Sequence, residues 1–352
     1  MKQSSTTVQE IIKEAKRGRM FILVDNKDRE NEGDLVIPAS KINAKKINFM
    51  AKHGRGLICL ALTQEKVKKL KLPLMSLINK SRTQTAFTVS IEAKKGISTG
   101  ISAYDRAKTI KVAIKNSSGS KDIVSPGHVF PLVSKNGGVL ERAGHTEASV
   151  DISKLAKLNP SAVICEVMNE DGTMARYNDL VPFSKKHNLK IAKIEDLISY
   201  RLKNEKFIKM ISNRKINIKK FGNYDLKVFK NKLDGAEHYA LTSKNFSYRK
   251  SPRVRVISTN IINTIFNFKK NIFKSTLNYL SKFNNFALII VKSPSHTKNS
   301  KENSKILRYY GVGAQIIKEL KIKDMILVSR SKKRIIALKG YGIKIKKQEI
   351  LK

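Results

Sequence analysis

Residues 21–40 read FILVDNKDRENEGDLVIPAS, and they join two apolar runs through a connection crowded with charge. Within it, Glu30, Glu32 and Asp34 stand at alternate positions after Arg29. Alternate side chains of an extended segment point to the same side, so the three carboxylates could meet at one spot. Carboxylates held together repel one another unless a cation lies among them. The pattern therefore favours a divalent-metal or acid–base site, with a solvated acidic turn as the structural alternative.

Outward from this stretch, the first 200 residues alternate helical and extended patterns. Ser102 and Asp105 have the spacing of a capping box that opens a helix through Lys115. Apolar runs predict strands at 20–25, 34–39, 56–62, 87–93, 128–134 and 162–168, and helical spacing predicts helices at 7–17, 47–54, 63–72 and 146–156. The alternation predicts an α+β fold, with helices flanking a mixed sheet.

The pattern changes near residues 200–205, where a Lys-rich stretch begins. Residues 1–200 hold 34 Lys and Arg against 20 Asp and Glu, whereas the remainder holds 37 against 8. We therefore expect two domains, 1–203 and 204–352, the second of the α/β type. Its extended segments are 221–231, 238–243, 253–259 and 286–293, followed by a helix–strand run over 309–345, and the polar stretch 293–305 is predicted to be a loop.

The net charge of +43 could indicate nucleic-acid binding. Lysine is spread along the chain with abundant Ile and Asn, which indicates a composition bias, so no specific nucleic-acid partner is expected. No run of about eighteen apolar residues occurs, so no membrane partner is expected, and the N-terminus lacks the apolar core of a secretion signal. Cys59 and Cys165 each lie in an apolar stretch and are expected to be buried thiols. A cytoplasmic, reducing location fits these features.

Two single residues outside the acidic loop, residues 28–34, are suited to proton transfer. In SPGHVFPL, residues 125–132, a Pro-Gly turn holds His128 at the mouth of a strand, although a lone histidine is more often structural. Glu166 lies inside an apolar strand, where a carboxylate is rarely buried without a partner. Glu166 is therefore a candidate general base.

A third cluster, ERAGHTEAS at residues 141–149, gathers a cation, a flexible backbone, a metal ligand and a hydroxyl just before a helix: Arg142, Gly144, His145 and Thr146. A helix start with Arg and Thr suits a phosphate, and neutral histidine is a common metal ligand. A capped surface helix is the structural alternative. Together the segments favour metal-assisted proton abstraction on a small sugar phosphate.

Six segments in this order closely resemble the 3,4-dihydroxy-2-butanone 4-phosphate synthase family of riboflavin biosynthesis. They are DRENEGD (28–34), KHGRGLICLAL (52–62), TGISAYDRAKTI (99–110), SPGHVFPL (125–132), RAGHTEAS (142–149) and ICEVMNEDGTMAR (164–176). The resemblance covers about residues 5–200. It implies a lyase that converts D-ribulose 5-phosphate to L-3,4-dihydroxy-2-butanone 4-phosphate and formate, using Mg²⁺ or Mn²⁺, in a homodimer with sites at the subunit interface.

The resemblance also implies roles for individual residues. Glu30 and His145 would be the metal ligands, and His128 and Glu166 would be essential for catalysis, with Glu32 assisting proton transfer. The residues implied to hold the substrate and its phosphate are Arg29, Glu30, Asp34, Arg142, Ala143, Gly144, His145, Thr146 and Glu166.

The second half resembles GTP cyclohydrolase II in RVRVIS (253–258) and in residues 309–329 and 335–345. That family holds zinc through three cysteines shortly after the RVRV-like strand, but no cysteine follows Cys165. The family's Arg-Gln-Glu-Gly-Arg-Gly segment is replaced at residues 292–297 by KSPSHT. Zinc is not expected, and the domain is expected to have lost GTP hydrolysis. The alternatives are residual GTP cyclohydrolase II activity through other ligands, or a basic interaction module.

Overall fold

The computed structural model describes residues 6–26, 29–76, 78–80, 83, 85–232, 235–259, 272–292, 302–330 and 342–351. These residues form two compact units that divide between Tyr200 and Arg201. Each unit is built on its own mixed sheet. The predicted α+β class with a second α/β domain is confirmed.

The first unit is a sheet with helices packed on it. Its elements are α1 (Val8–Arg17), β1 (Phe21–Val24), β2 (Gly33–Pro38), α2 (Ala44–Phe49), β3 (Cys59–Thr63), α3 (Gln64–Lys69), β4 (Ile91–Ala93), α4 (Ala103–Ile114), β5 (Ile123–Ser134), α5 (His145–Leu155), β6 (Ala162–Glu166), α6 (Tyr177–Lys186) and β7 (Lys190–Lys193), and α7 (Ile194–Asn204) follows. The strand order is β4-β5-β3-β6-β2-β1-β7. Strand β6 is antiparallel to both β2 and β3, and β3 is parallel to β5.

The two faces of this sheet serve different purposes. On one face, Leu35, Leu60 and Cys165 belong to an apolar core that also includes residues of α2 and α4. Because side chains alternate along a strand, the neighbours Asp34 and Glu166 point to the opposite face. Helix α5 packs against β2, β3 and β6, and its first residue, His145, reaches Asp34. The chemistry-bearing residues therefore lie between the end of the sheet and the start of α5.

Some elements differ from the sequence prediction. The strand predicted at 87–93 is regular only over β4, because Phe87 and Thr88 make isolated bridges instead. The helix predicted at 47–54 consists of the end of α2 and a π-helical turn, Met50–Gly54. The predicted capping box of α4 is formed only on its Ser102 side, because the carboxylate of Asp105 accepts hydrogen bonds from Ser98 and Gly100.

The second unit has the elements β8 (Ile208–Ile218), β9 (Gly222–Asn231), β10 (Glu237–Ser243), β11 (Arg253–Thr259), α8 (Ile272–Leu280), β12 (Phe286–Lys292), α9 (Glu302–Glu319), β13 (Asp324–Ser329) and β14 (Lys344–Ile350). Its strand order is β14-β13-β11-β12-β10-β9-β8, with the pairs among β11 to β14 parallel and the pairs of β8 to β10 antiparallel. Residues 302–305, predicted as part of a loop, begin α9, because helix formation is cooperative and extends from the amphipathic segment that follows. Residues 293–301 of that predicted loop, and 260–271 after the RVRV-like strand, lie outside the described residues.

Candidate active site

Asp34 and Glu166 face each other across strands β2 and β6. Asp34 is buried, and a Glu166 carboxylate oxygen accepts a hydrogen bond from the Leu57 backbone N–H at 2.9 Å. Gly56 allows this approach, because a Cβ there would lie 2.6 Å from the same Glu166 oxygen. The end of the sheet thus holds two carboxylates side by side, one of them fixed by the backbone beside it.

Asp25 organises the acidic loop that follows β1. Its carboxylate accepts hydrogen bonds from the backbone N–H of Glu30 at 3.1 Å and of Glu32 at 2.9 Å, and from the Arg29 guanidinium at 2.8 Å. Arg176 holds the other side of the loop by donating to the Glu30 carbonyl at 2.6 Å. The acidic residues therefore converge through a folded turn, and not through the extended segment that their alternate spacing predicts. Asp28, the first residue of the DRENEGD motif, lies outside the described residues.

His145 brings helix α5 to the acidic loop. Its Nδ1 lies 3.9 Å from a carboxylate oxygen of Glu30 and 3.8 Å from one of Asp34. Asp25, Glu30 and His145 each offer one ligand atom, and these three atoms lie within 4.8 Å of one another. The His145 Nε2 atom is buried and has no hydrogen-bond partner among the described residues. A buried polar atom without a partner costs free energy, so the arrangement suits a bound cation.

The electrostatics of the cluster also suit a cation. Burial, followed by the charges of Glu166 and Glu30, raises the pKa of Asp34 well above its ordinary value. Burial likewise raises the pKa of Glu166 and of Glu32. Burial lowers the pKa of His145, although nearby carboxylates oppose this shift. The site therefore combines carboxylates whose affinity for protons is raised with an imidazole that is favoured in its neutral form, the form that acts as a ligand.

The segment before and at the start of α5 carries the residues expected to hold phosphate. The Arg142 guanidinium donates a hydrogen bond to the buried Glu147 carboxylate at 2.6 Å. Ala143 follows it, Gly144 is the N-cap of α5, and Thr146 is buried in the first turn. A guanidinium beside the N-terminus of a helix is an arrangement that can bind an anion.

His128 lies apart from this cluster. Strand β3 pairs with both β5 and β6, and its pairs at Cys59 are Phe130 and Ile164. If this register is continued two residues back along β3, His128 lies in the same row across the sheet as Glu166 and Asp34. Strands β3 and β6 lie between β5 and β2, so three strand spacings separate His128 from Asp34 by about 14 Å. The His128 side chain is 44% exposed, and its Nδ1 contacts the carboxylate of Glu92. Within one chain, the structure does not bring His128 into contact with Glu30, Asp34 or Glu166.

The two cysteines are free and buried, as the sequence predicts. Cys59 lies on β3 and Cys165 on β6, next to Glu166. Burial raises the pKa of both thiols. Because the thiolate is the reactive form, neither cysteine is suited to act as a nucleophile.

Sequence reasoning missed three residues of the site. Asp25 reads as the polar end of an apolar strand, and its position five residues before Glu30 was the available signal. Arg176 closes the ICEVMNEDGTMAR motif, but its partners on the acidic loop lie about 145 residues earlier. Glu92 is an acid between apolar neighbours in β4, the same signal that identified Glu166.

Two family models match separate parts of the chain. Residues 9–200 match the model of 3,4-dihydroxy-2-butanone 4-phosphate synthase, and residues 278–349 match that of GTP cyclohydrolase II. A riboflavin biosynthesis protein RibBA of Aquifex aeolicus is 42% identical, over 96% of this chain and 90% of its own length. A 3,4-dihydroxy-2-butanone 4-phosphate synthase of Helicobacter pylori is 43% identical, over 96% of this chain and 97% of its own.

Solved structures show the same similarity. RibBX, a two-domain 3,4-dihydroxy-2-butanone 4-phosphate synthase from A. baumannii, matches with a TM-score of 0.86 and 38% identity, covering 99% of both chains. A 3,4-dihydroxy-2-butanone 4-phosphate synthase in complex with two magnesium ions matches with a TM-score of 0.54 and 36% identity, covering 56% of this chain and 98% of its own. Among the described residues, no helix has the length and apolarity needed to cross a bilayer. The chain belongs to the 3,4-dihydroxy-2-butanone 4-phosphate synthase family, the enzymes of riboflavin biosynthesis, and carries a GTP cyclohydrolase II-like domain after the synthase domain.

Proposed function

We propose that this enzyme converts D-ribulose 5-phosphate to L-3,4-dihydroxy-2-butanone 4-phosphate and formate. The observation that carries the proposal is the cluster of Asp34, Glu166 and His145 at one end of the first sheet. Burial raises the pKa of both carboxyl groups, which makes them stronger bases for the abstraction of a proton beside a carbonyl. The phosphate of such a substrate would lie at Arg142 and the start of α5.

The donor set fits a divalent cation. Glu30 and His145 are the proposed ligands, and Asp25 is close enough to be a third. Carboxylate oxygens suit Mg²⁺ and Mn²⁺. The buried His145 Nε2 has no hydrogen-bond partner among the described residues, and it can bind a metal ion only when the ring is neutral, the form that the lowered pKa of His145 favours. When bound, the cation would supply Lewis-acid stabilisation of negative charge on substrate oxygens. A relative of known structure contains two magnesium ions, which supports this assignment.

The protein side chains would hold the substrate and move protons. Glu166 is the proposed base, because the Leu57 N–H fixes one carboxylate oxygen and burial raises the pKa of the carboxyl group. Asp34, directly opposite on β2, would hold a substrate hydroxyl. Glu32 lies 3.5 Å from Arg176 at the edge of the cluster and would assist proton transfer. Arg29, held by Asp25, would contribute to substrate binding.

The position of His128 supports a homodimer with shared sites. Two strand spacings, about 9.5 Å, separate His128 from Glu166, and three, about 14 Å, separate it from Asp34, so a substrate atom at the acidic residues would lie beyond hydrogen-bond reach of the same chain's His128. His128 is nevertheless exposed on the same end of the sheet as the acidic cluster. In a two-fold dimer, the His128 of one chain could complete the site of the other. We propose that each active site combines His128 from one subunit with the acidic loop of its partner.

The second unit is proposed to have kept the cyclohydrolase fold without GTP hydrolysis. Zinc activates the hydrolytic water in that family, and the chain has no cysteine after Cys165 to hold it. The substituted segment 292–297 lies, apart from Lys292, outside the described residues. Purified protein incubated with GTP should release no formate and contain no stoichiometric zinc. Formate from GTP, with bound zinc, would establish instead the bifunctional activity that the RibBA names of relatives suggest.

The cell location and partners are proposed on the same basis. Two free, buried cysteines suit a reducing compartment, and the proposed location is the cytoplasm. The substrate is the proposed specific partner, together with a second copy of the chain. Nucleic acid would bind only through non-specific, salt-sensitive charge contacts.

The decisive experiment measures formate released from ribulose 5-phosphate in the presence of Mg²⁺. Removal of divalent ions with a chelator should abolish formate release, and added Mg²⁺ or Mn²⁺ should restore it, since charge on the substrate would be unstabilised without the cation. No metal-dependent formate from the purified, folded protein would refute the proposed function.

A further inference from the structure

Glu92 and His128 form a pair that the proposed chemistry does not yet use. Glu92 lies on β4 and His128 on the neighbouring β5, and the carboxylate of Glu92 contacts Nδ1 of His128. The Glu92 side chain is 16% exposed, whereas the His128 side chain is 44% exposed. The carboxylate is therefore behind the imidazole, which faces outward.

Two glycines create the space in which the Glu92 carboxylate lies. A Cβ at Gly100 would overlap this carboxylate, and a Cβ at Gly127 would overlap the Glu92 side chain and the backbone of Ile91. Gly100 also has φ +88°, a conformation that residues with side chains rarely adopt. A side chain at either position would displace Glu92 from His128. The local backbone is thus shaped around the carboxylate.

Further contacts hold the two glycines in place. The Gly100 N–H donates to the buried Asp105 carboxylate at 3.1 Å, and the Gly127 N–H donates to the Ser90 Oγ at 3.1 Å. Asp105 also accepts a hydrogen bond from the Ser98 hydroxyl at 2.7 Å. The loop before α4 is therefore anchored, and so is the irregular part of β5 before His128, where the sequence predicts a Pro-Gly turn but the chain stays in the strand and the register with β4 shifts. An accidental surface contact would not need this support.

We infer that Glu92 is a positioning residue for His128, holding its imidazole in the tautomer with the proton on Nδ1. An ionised carboxylate can only accept, so Nδ1 must donate and Nε2 is left with its lone pair exposed. This inference rests on the proposed function, in which His128 takes part in catalysis.

The kinetic test is Glu92→Gln in the full-length chain, assayed with ribulose 5-phosphate and Mg²⁺. The amide keeps the size of the side chain but removes its charge and can donate as well as accept. We expect kcat to fall about 10–100-fold, the usual cost of losing a supporting partner, while KM changes by less than about 3-fold. The exposed Glu65→Gln on α3 is the charge-matched control and should retain wild-type kcat.

A second pair of variants moves Glu92 without replacing it. Gly100→Ala places a methyl group against the carboxylate and should lower kcat to a similar degree. Gly96→Ala carries the same type of backbone strain, with φ +77°, but meets only the flexible end of Lys108. It should destabilise the chain comparably and leave kcat unchanged. Equal kcat in the two alanine variants would contradict the inference.

The spectroscopic test reads the tautomer directly. With ¹⁵N,¹³C-labelled histidine, the chain gives ring signals from six histidines. The signal of His128 is the one that is absent from the spectrum of His128→Asn. We expect Nδ1 to carry the proton in the wild type and the two tautomers to mix in Glu92→Gln. A proton on Nε2 in the wild type, or one tautomer unchanged by the substitution, would overturn the inference. Absence of formate from the wild type would instead refute the proposed function, whatever the tautomer.

Discussion

At the scale of single residues, His145 is the most informative position in the chain. Its ring is buried, and its Nε2 has no hydrogen-bond partner among the described residues. Its Nδ1 lies 3.9 Å from a carboxylate oxygen of Glu30. We predict that Glu30→Gln and His145→Ala each lower turnover by more than the roughly 100-fold that loss of a supporting partner costs, because each removes a proposed ligand. Formate release measures turnover, and Mn²⁺ binding followed by electron paramagnetic resonance measures the metal site.

The controls for these variants must separate chemistry from folding. Both proteins should keep the circular dichroism spectrum of the wild type, because glutamine keeps the size of Glu30 and alanine at position 145 removes a ring at the first residue of α5 without adding bulk. Glu170→Gln, with a side chain that is 88% exposed, should retain both turnover and Mn²⁺ affinity. Turnover close to that of the wild type in either ligand variant would refute the metal assignment.

The sequence predicts individual site residues only when a short motif carries them. Glu30, Asp34 and Glu166 stand out because carboxylates lie beside apolar runs, and the structure places them close together. Asp25 and Glu92 have comparable surroundings in the sequence, but their partners become visible only in the fold. Asp25 meets the N–H groups of a turn, and Glu92 meets a histidine 36 residues away on the next strand. Local pattern shows that an acid is unusual, and it does not show what the acid faces.

At the scale of elements, the start of α4 links the loop before it to the region of Glu92. Ser102 caps the helix, and its Oγ accepts from the Asp105 N–H at 3.0 Å. Asp105 in turn accepts from Ser98 and Gly100 in the preceding loop. The sequence predicts the helix and its cap correctly. It does not predict that Asp105 serves the loop, because those bonds depend on how the loop turns back.

Asp105 gives a prediction about acid stability. The hydrogen bond from the Ser98 hydroxyl, opposed in part by burial, holds the pKa of Asp105 below its ordinary value. The ionised carboxylate therefore stabilises the folded state at neutral pH, and this contribution is lost as the pH falls below about 4 through the lowered pKa. Asp105→Asn should be less stable than the wild type at pH 7, and the difference in free energy of unfolding should shrink below pH ~4.

Urea unfolding at a series of pH values measures this difference. Other carboxylates also lose charge in acid, so the comparison is between the two proteins at each pH and not along one curve. Glu65→Gln, an exposed residue of α3, should track the wild type throughout. A stability difference between Asp105→Asn and the wild type that stays constant down to pH 3 would show that the charge of Asp105 is not what stabilises the loop.

At the scale of the whole molecule, the proposed shared site predicts complementation between subunits. In a heterodimer of one His128→Ala chain and one Glu30→Gln chain, one site receives an intact His128 and an intact Glu30, and the other receives neither. A heterodimer purified through two different tags should therefore show about half of the wild-type activity, because a two-fold dimer has two equivalent sites. Both homodimers should be nearly inactive. An inactive heterodimer would mean that each site is built from one chain.

The role of the second unit can be tested by removing it. The first unit has its own sheet and its own apolar core. The solved synthase with two magnesium ions matches 56% of this chain, and the match covers 98% of that synthase. A chain of residues 1–203 should therefore fold, dimerise and release formate from ribulose 5-phosphate with kcat within about 3-fold of the full chain, because the ligands and acid–base residues all precede the division. Sedimentation analysis gives the assembly state, and the formate assay gives kcat. A truncated chain that is monomeric or inactive would show that the basic second unit, although without the cysteines for zinc, supports the dimer on which the shared site depends.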